Sequence, residues 1–411
     1  MANPGLLKLD LMRQGALIED EARAALHEHG AHVNGNGPFG GMDDIDLVLG
    51  HETWVSVPLV KDAEATPYRV RLGDDGFVLG TVGSPQLTTP ARLAPRSHVF
   101  EHRTAQGIPF GRFGTVHGPY LALSPTNRCT FLPTADRCRF CGVTAHPDEQ
   151  EGLAVDDVLE AIRIARAEQP VAMVYLSIGH LGTDDGGVAF LEPYVRAIKK
   201  HFDILVAVDA LPPKKNGWID RTYGMGVDAV SYNLEIFDPD LFETICPGPA
   251  RIIGRERFLE ALEYATTVFP SGGVTCHLIV GLEPLESTHA GIELLTEMGV
   301  LPVLPVYRPF KGRDMRTVMG ISRYDPTLSE LVDVYSHLYA EVKRHKLSLN
   351  LVRDISIVTT PLDARFFAGS AGRFESLFHR VLGTRVARRT SAYLSDLRRN
   401  LRVREISVDN R

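Results

Sequence analysis

From about Pro119 to Lys346, short apolar runs alternate with longer amphipathic stretches, and this alternation constrains the fold more than any other feature of the chain. Six runs read as strands: PYLALSP (119–125), AMVYLSIG (172–179), DILVAVDA (203–210), AVSYNLEIF (229–237), GVTCHLIVG (273–281) and LPVLPVYRPF (301–310). Each precedes a helical pattern, from VDDVLEAIRIARAE to TLSELVDVYSHLYAEVKRHK. Strands that are apolar throughout must be covered on both faces, which calls for a parallel sheet wrapped in helices. The pattern predicts an α/β fold, a partial (β/α)6 TIM-like barrel over residues 116–346, with ligands at the carboxyl ends of its strands. Residues 1–115 predict a small N-terminal α+β appendage: a helix from Leu6 to about His29, a glycine-rich loop and the strands TWVSVPLV, YRVRLG and FVLGTVG. Residues 347–411 predict a helical C-terminal extension with one strand, DISIVTT; its arginines 385, 388, 389, 398, 399, 402 and 404 read as a solvated face.

No window approaches 18 uninterrupted apolar residues, and the amino terminus lacks a basic stretch followed by an apolar one, so the expectation is a cytoplasmic protein without a membrane partner. A net charge of -7 argues against a nucleic-acid partner, which needs a basic surface. The five cysteines are odd in number and unevenly placed, so they read as thiols rather than a disulfide framework. Gly35, Gly37 and Gly40 spell GxGxxG, but a helical pattern precedes them where a strand is needed, so they read as a loop.

Cys129, Cys138 and Cys141 fall in SPTNRCTFLPTADRCRFCGV, directly after the first strand of the alternating core, and so at its carboxyl mouth. Three thiolates on one loop can hold three irons of a [4Fe-4S] cubane and leave the fourth open. A structural zinc would need a fourth ligand, for which His146, Cys246 and Cys276 are the candidates. The polar neighbours Asn127, Arg128, Asp136, Arg137 and Arg139 disfavour three plain core cysteines. The loop by itself leaves iron-sulfur, zinc and no metal open.

The loop ends in Cys138-Arg139-Phe140-Cys141, and a CxΦC ending after the first strand of a six-fold βα core resembles the radical S-adenosylmethionine (SAM) superfamily, over about residues 115–346. One departure is plain: eight residues separate Cys129 from Cys138 where the family has three. The core is similar to biotin synthase and lipoyl synthase. The resemblance implies that Cys129, Cys138 and Cys141 are the metal ligands and that Phe140 belongs to the cofactor site. It further implies Asn233 and Glu235 for the ribose of SAM, two apart in SYNLEIF and so on one face of a strand. Arg257, or Arg255 beside it, would meet the SAM carboxylate. Backbone around Val280 and Gly281 would meet adenine, with Glu283 just beyond. Ser177 and Gly179 would lie by the SAM amino group, although the family's GGE triplet is absent; His180, Asp184 and Asp185 follow them and suit a turn equally well.

The implied activity is that of an enzyme in which a [4Fe-4S] cluster reduces SAM to methionine and a 5'-deoxyadenosyl radical, which takes hydrogen from a small-molecule substrate. The implied partners are that substrate and an electron donor such as flavodoxin or ferredoxin. His277, Tyr307 and Arg308 are the candidate substrate wall, with a satisfied core histidine the competing reading for His277; Cys246 and Cys276 read as plain thiols. The cysteine spacing and the amino-terminal appendage also resemble a radical SAM protein encoded beside nitrilases in bacterial cyanide-assimilation gene clusters, which implies no substrate. Two other readings compete: a zinc-stabilised barrel acting as a non-redox ligand-binding or scaffold protein, and a degenerate relative that holds a cluster but not SAM.

Overall fold

The structure is a computed structural model and describes residues 3–28, 44–73, 76–93, 97–117, 120–143, 152–307, 324–349, 351, 363–367 and 390–401 of the chain. The GxGxxG loop, His146, Arg308, the DISIVTT run and arginines 385, 388, 389, 402 and 404 lie outside them.

Helix α1 (Pro4–Gln14) starts where the Asn3 side chain accepts the Gly5 and Leu6 amides and Pro4 fills the first turn. It stops at Gly15, whose φ of 68° suits glycine, and a Cβ there would come within 2.5 Å of the Pro58 carbonyl oxygen. The single helix expected from Leu6 to His29 is therefore two. The chain breaks into β1 (Leu17–Ile18) before α2 (Asp20–Glu28), because the docking of Gly15 on Pro58 is a tertiary contact that helical periodicity does not encode. The strands that follow are β2 (Asp44–Leu49), β3 (Thr53–Pro58), β4 (Tyr68–Gly73), β5 (Gly76–Thr81), β6 (Ser84–Pro90) and β7 (Arg92–Leu93). They form two small sheets, ordered β3-β2-β7 and β1-β4-β5-β6.

The third sheet holds the site. β8 (Gly114–His117) runs antiparallel to β9 (Tyr120–Leu123), and β10 (Met173–Ser177), β11 (Leu205–Asp209), β12 (Ala229–Ser231), β13 (Val274–His277) and β14 (Leu301–Val303) follow in parallel. The strand order β14-β13-β12-β11-β10-β9-β8 is sequential and unclosed, the expected partial barrel with one added edge strand. Between the strands lie α3 (Val155–Glu168), α4 (Val188–His201), α5 (Gly217–Met225), α6 (Pro239–Ile245), α7 (Pro247–Ile252), α8 (Arg255–Val268) and α9 (Leu285–Glu297). Helix α10 (Leu328–Arg344) follows β14 and opens with a capping box between Thr327 and Glu330.

Two expectations change here. SYNLEIF is not one strand: β12 ends at Ser231, and Glu235 has a φ of 68°, so a shared strand face does not place Asn233 beside Glu235. Arg399 is not solvated. It lies on the helix over residues 390–401 and is buried, its Nη2 2.6 Å from Asp228, a fully buried residue just before β12. Lys199 and Ser395 also bind Asp228, and Asp228 accepts the Val206 amide, so this helix is tied to the foot of the barrel. The Lys8–Asp363 ion pair, also buried, ties α1 to the turn Asp363–Phe366.

Candidate functional site

Strands β10, β11 and β13 are buried until their last residues, and those residues, Ser177, Asp209 and His277, are half-buried. Strand register explains the grouping. Ser177 pairs with Asp209, and Asp209 with Ser231, so their side chains lie side by side on one face. The Ser177 hydroxyl donates to Asp209 Oδ2 at 3.0 Å, and Asn233 Nδ2 donates to Asp209 Oδ1 at 2.9 Å. Asn233 Oδ1 in turn accepts the Ser231 hydroxyl at 2.6 Å and the His277 amide at 3.0 Å. One polar layer thus spans four strands at their carboxyl ends. Burial pushes the Asp209 carboxyl up to about 7, partly offset by the Ser177 and Tyr175 hydroxyls. Burial also raises Glu235 well above the usual carboxylate range, helped by the charges of Asp209 and Cys138, which places all three in one electrostatic neighbourhood. His277 is pushed down to about 4 by burial and is neutral at physiological pH.

Glu235 is one of three non-glycine residues with positive φ among the described residues, a conformation that costs about 1–3 kcal/mol. It is held by two main-chain bonds to the neighbouring strand, Glu235 N to His277 O and Ile279 N to Glu235 O, both 2.8 Å. The strain therefore sits where the chain leaves β12 and passes the barrel mouth.

The cysteine loop closes over this layer. Cys129, Cys138 and Cys141 are all half-buried, and burial raises the Cys129 and Cys141 thiols, the latter to about 11. Cys138 is instead lowered, first by a hydrogen bond from Cys246. The loop is fastened to the end of β10: Thr130 N donates to His180 O at 2.8 Å, and the Phe131 ring stacks on His180 at 4.6 Å. Gly179 is in direct contact with it, and a Cβ there would lie 2.5 Å from Cys129 Cβ and 3.1 Å from its Sγ. Arg137 and Arg139 flank Cys138, and the Nε of each is buried without a hydrogen-bond partner. A cavity of about 470 Å³, the size of a small-ligand site, opens beside Cys129 between Arg128, Arg137, His180 and Leu181. Three thiols, two unsatisfied guanidinium donors and a glycine that admits Cys129 fit an anionic iron-sulfur cluster. His146, a candidate fourth ligand for zinc, lies outside the described residues, and among the described residues no group of three or more His, Cys, Asp or Glu is placed to hold a single metal ion.

Other sequence candidates are placed differently. Arg257 turns to the loop before α5, donating to Pro213 O at 2.8 Å and Asn216 Oδ1 at 2.7 Å. Arg255 donates to Phe237 O and lies over the Phe237 ring. Val280 uses both main-chain groups internally, with Pro305 O and Tyr307 N; Gly281 has a φ of 101° and faces the Tyr324 carbonyl. Tyr307 and Phe140 pack against the core. Glu283 is fully buried and accepts the Phe237 and Asp238 amides at 2.8 Å, a pin for the loop after β12. Asp185 accepts the Gly187 and Ala189 amides at the start of α4, the turn role, and Asp184 pairs with Lys214 on the surface. Cys276 is buried and accepts the Leu234 amide. Sequence reasoning missed Asp209, which reads as the polar end of an apolar strand.

Comparison with known proteins bears on the same segment. The Radical SAM superfamily model matches residues 123–287. The bacteriochlorophyllide c C-7(1)-hydroxylase of Chlorobaculum limnaeum is 32% identical over 114 residues, 28% of each chain. Among solved structures, the FeFe-hydrogenase maturase HydG from Carboxydothermus hydrogenoformans aligns at a TM-score of 0.44 and 15% identity, over 59% of this chain and 57% of that one. Methylornithine synthase (PylB) aligns at 0.44 and 16%, over 60% and 68%. The chain thus spans little more than a quarter of the hydroxylase and just over half of HydG. The matched segment, residues 123–287, contains all three loop cysteines, and members of the Radical SAM superfamily use a [4Fe-4S] cluster and S-adenosylmethionine.

Proposed function

We propose that the chain is a radical SAM enzyme in which Cys129, Cys138 and Cys141 hold a [4Fe-4S] cluster at the barrel mouth. The observation that carries this reading is the seating of Cys129 on Gly179, which fixes the three-cysteine loop directly at the end of β10, next to the polar layer. Bound there, the cluster would supply the electron that cleaves SAM into methionine and a 5'-deoxyadenosyl radical. The chain's own residues bind and position. Glu235, raised in pKa and held in a left-handed conformation, offers its carboxyl group to ribose hydroxyls. Asn233 is tied to Asp209, Ser231 and His277, so it presents at most its second amide hydrogen and acts mainly to fix the layer. Ser177, Gly179 and Phe140 complete the cofactor wall. Arg257 and Val280 have their polar groups engaged elsewhere, so another cation would meet the SAM carboxylate. Neutral His277 and Tyr307 face a small-molecule substrate, from which the radical takes hydrogen, and a flavodoxin or ferredoxin supplies the electron. Residues 1–115 and 347–411 are accessory regions around the core of residues 116–346.

The test is anaerobic reconstitution with iron and sulfide, reduction, and incubation with SAM. Formation of 5'-deoxyadenosine, absent when Cys129, Cys138 and Cys141 are all replaced by Ala, supports the reading. An iron-loaded, reduced chain that forms none would refute it.

A further inference from the structure

Asp209 is the hub of the polar layer at the barrel mouth, and each of its three oxygens serves a different part of the site. Its main-chain carbonyl accepts the Ile178 amide at 3.0 Å, one residue before the Gly179 seat of the cysteine loop. Oδ2 accepts the Ser177 hydroxyl at 3.0 Å from the same strand end, and Oδ1 accepts Asn233 Nδ2 at 2.9 Å. The far side of the Asn233 amide is fixed as well, since its oxygen accepts both the Ser231 hydroxyl and the His277 amide. Amide orientation follows from these partners: two donors face the oxygen, and a carboxylate faces the nitrogen. A reversed amide would set N–H against the His277 N–H and carbonyl against carboxylate. One Asn233 N–H is left for a ligand, and this half-buried residue stands two positions before Glu235 on the loop after β12.

We propose that Asp209 is a positioning residue for SAM: it holds Asn233 so that the remaining amide hydrogen meets a ribose oxygen beside the Glu235 carboxyl group, and it keeps that loop in register with the strand end that seats Cys129. The inference rests on the ribose reading of Asn233 and Glu235 above. Two adjacent sugar hydroxyls are best met by groups whose donor and acceptor ends are fixed, whereas an amide free to pivot offers either end. Fixing the amide before the ligand arrives leaves less rotamer freedom to lose on binding. The place of Asp209 in the sheet suits the task. It ends β11, the strand between β10 and β12, so one carboxylate reaches the elements on both sides at once.

The experiment measures SAM affinity by equilibrium dialysis on anaerobically reconstituted, full-length wild type, Asp209→Ala, Asp209→Leu, Asp209→Asn, Asn233→Ala and the double variant Asp209→Ala/Asn233→Ala, with iron content and the EPR signal of the reduced cluster recorded alongside. Asp209→Ala and Asp209→Leu should keep wild-type iron and the SAM-free signal while SAM affinity falls roughly two- to tenfold. Asp209→Leu fills the vacated volume and serves if Asp209→Ala folds poorly. Asp209→Asn can still accept from Asn233 and can donate to the Ser177 oxygen, so it should recover most of the wild-type affinity. Because Asp209 acts through Asn233, the double variant should bind SAM almost as well as Asn233→Ala alone. Unchanged affinity in Asp209→Ala and Asp209→Leu, or losses that simply multiply in the double variant, overturns this inference and leaves the ribose reading standing. Unchanged affinity in both Asn233→Ala and Glu235→Ala overturns the ribose reading and this inference with it, as does a reconstituted wild type that binds no SAM.

Discussion

Replacing Gly179 by Ala isolates the seating of the cysteine loop from every other feature of the site. The new Cβ would lie 2.5 Å from Cys129 Cβ, 2.9 Å from the Arg128 carbonyl oxygen and 3.1 Å from Cys129 Sγ. Ordinary carbon contacts are about 3.5–4.0 Å, so the loop must retreat by about 1 Å. The first two of these atoms belong to, or sit directly on, the main chain, so no side-chain rotation relieves the clash. The retreat pulls against the Thr130 N to His180 O bond of 2.8 Å, which holds the same loop to the same strand end. Overpacking of this kind costs about 1–3 kcal/mol. Gly179 is not in the left-handed region, so Ala is compatible with the backbone and the fold should survive. The expected result is a soluble variant whose metal-free form unfolds cooperatively in urea, less stable by about 1–3 kcal/mol, yet binds far less iron than wild type after anaerobic reconstitution. A Ser177→Ala control, which removes only the hydroxyl donor to Asp209, should keep its iron. Wild-type iron content and absorption spectrum in Gly179→Ala would refute the reasoning.

Glu235→Ala should keep its iron and colour while SAM affinity, read by equilibrium dialysis, falls roughly two- to tenfold, the equivalent of about 0.5–1.5 kcal/mol for a hydrogen bond made by a neutral carboxyl group; unchanged affinity would remove the ribose role. Asp209 carries a pKa raised to about 7, so the folded state holds a proton that the unfolded chain has already released, and stability falls as pH rises from about 4 to about 7. Asp209→Asn should lessen that fall, so melting temperatures of the two metal-free proteins should converge or cross with rising pH; parallel pH profiles would contradict this. Asp228→Ala leaves Lys199 and Arg399 without their shared buried carboxylate, and should cost about 3–5 kcal/mol in chemical denaturation and expose the helix over residues 390–401 to protease; a loss under about 1 kcal/mol would show that the ion network is not what ties this helix down.

The barrel was legible because strands buried on both faces leave an unbroken apolar run, and β10, β11 and β13 all fall inside runs read from the sequence. The cysteine loop was legible for a local reason, since three cysteines within thirteen positions need no tertiary information. What escaped was non-local. Asp209 gains its role only through Ser177 on the adjacent strand and Asn233 just past the end of β12. Arg257 stands at the start of a helix as expected, but the Pro213 carbonyl and Asn216, unrecognisable as partners in the sequence, take its donors. Asn233 and Glu235 were singled out on a mistaken premise: the strand they were to share ends at Ser231, and it is the loop geometry after β12 that brings both near Asp209.

The central claim is that three cysteines hold a cluster with one iron open to SAM. Low-temperature EPR of the anaerobically reconstituted, reduced full-length chain, recorded with and without SAM, tests it most directly. The account predicts a [4Fe-4S] signal that shifts when SAM is added and that disappears in each of Cys129→Ala, Cys138→Ala and Cys141→Ala. A signal that ignores saturating SAM, or that survives loss of any one of these cysteines, would contradict it.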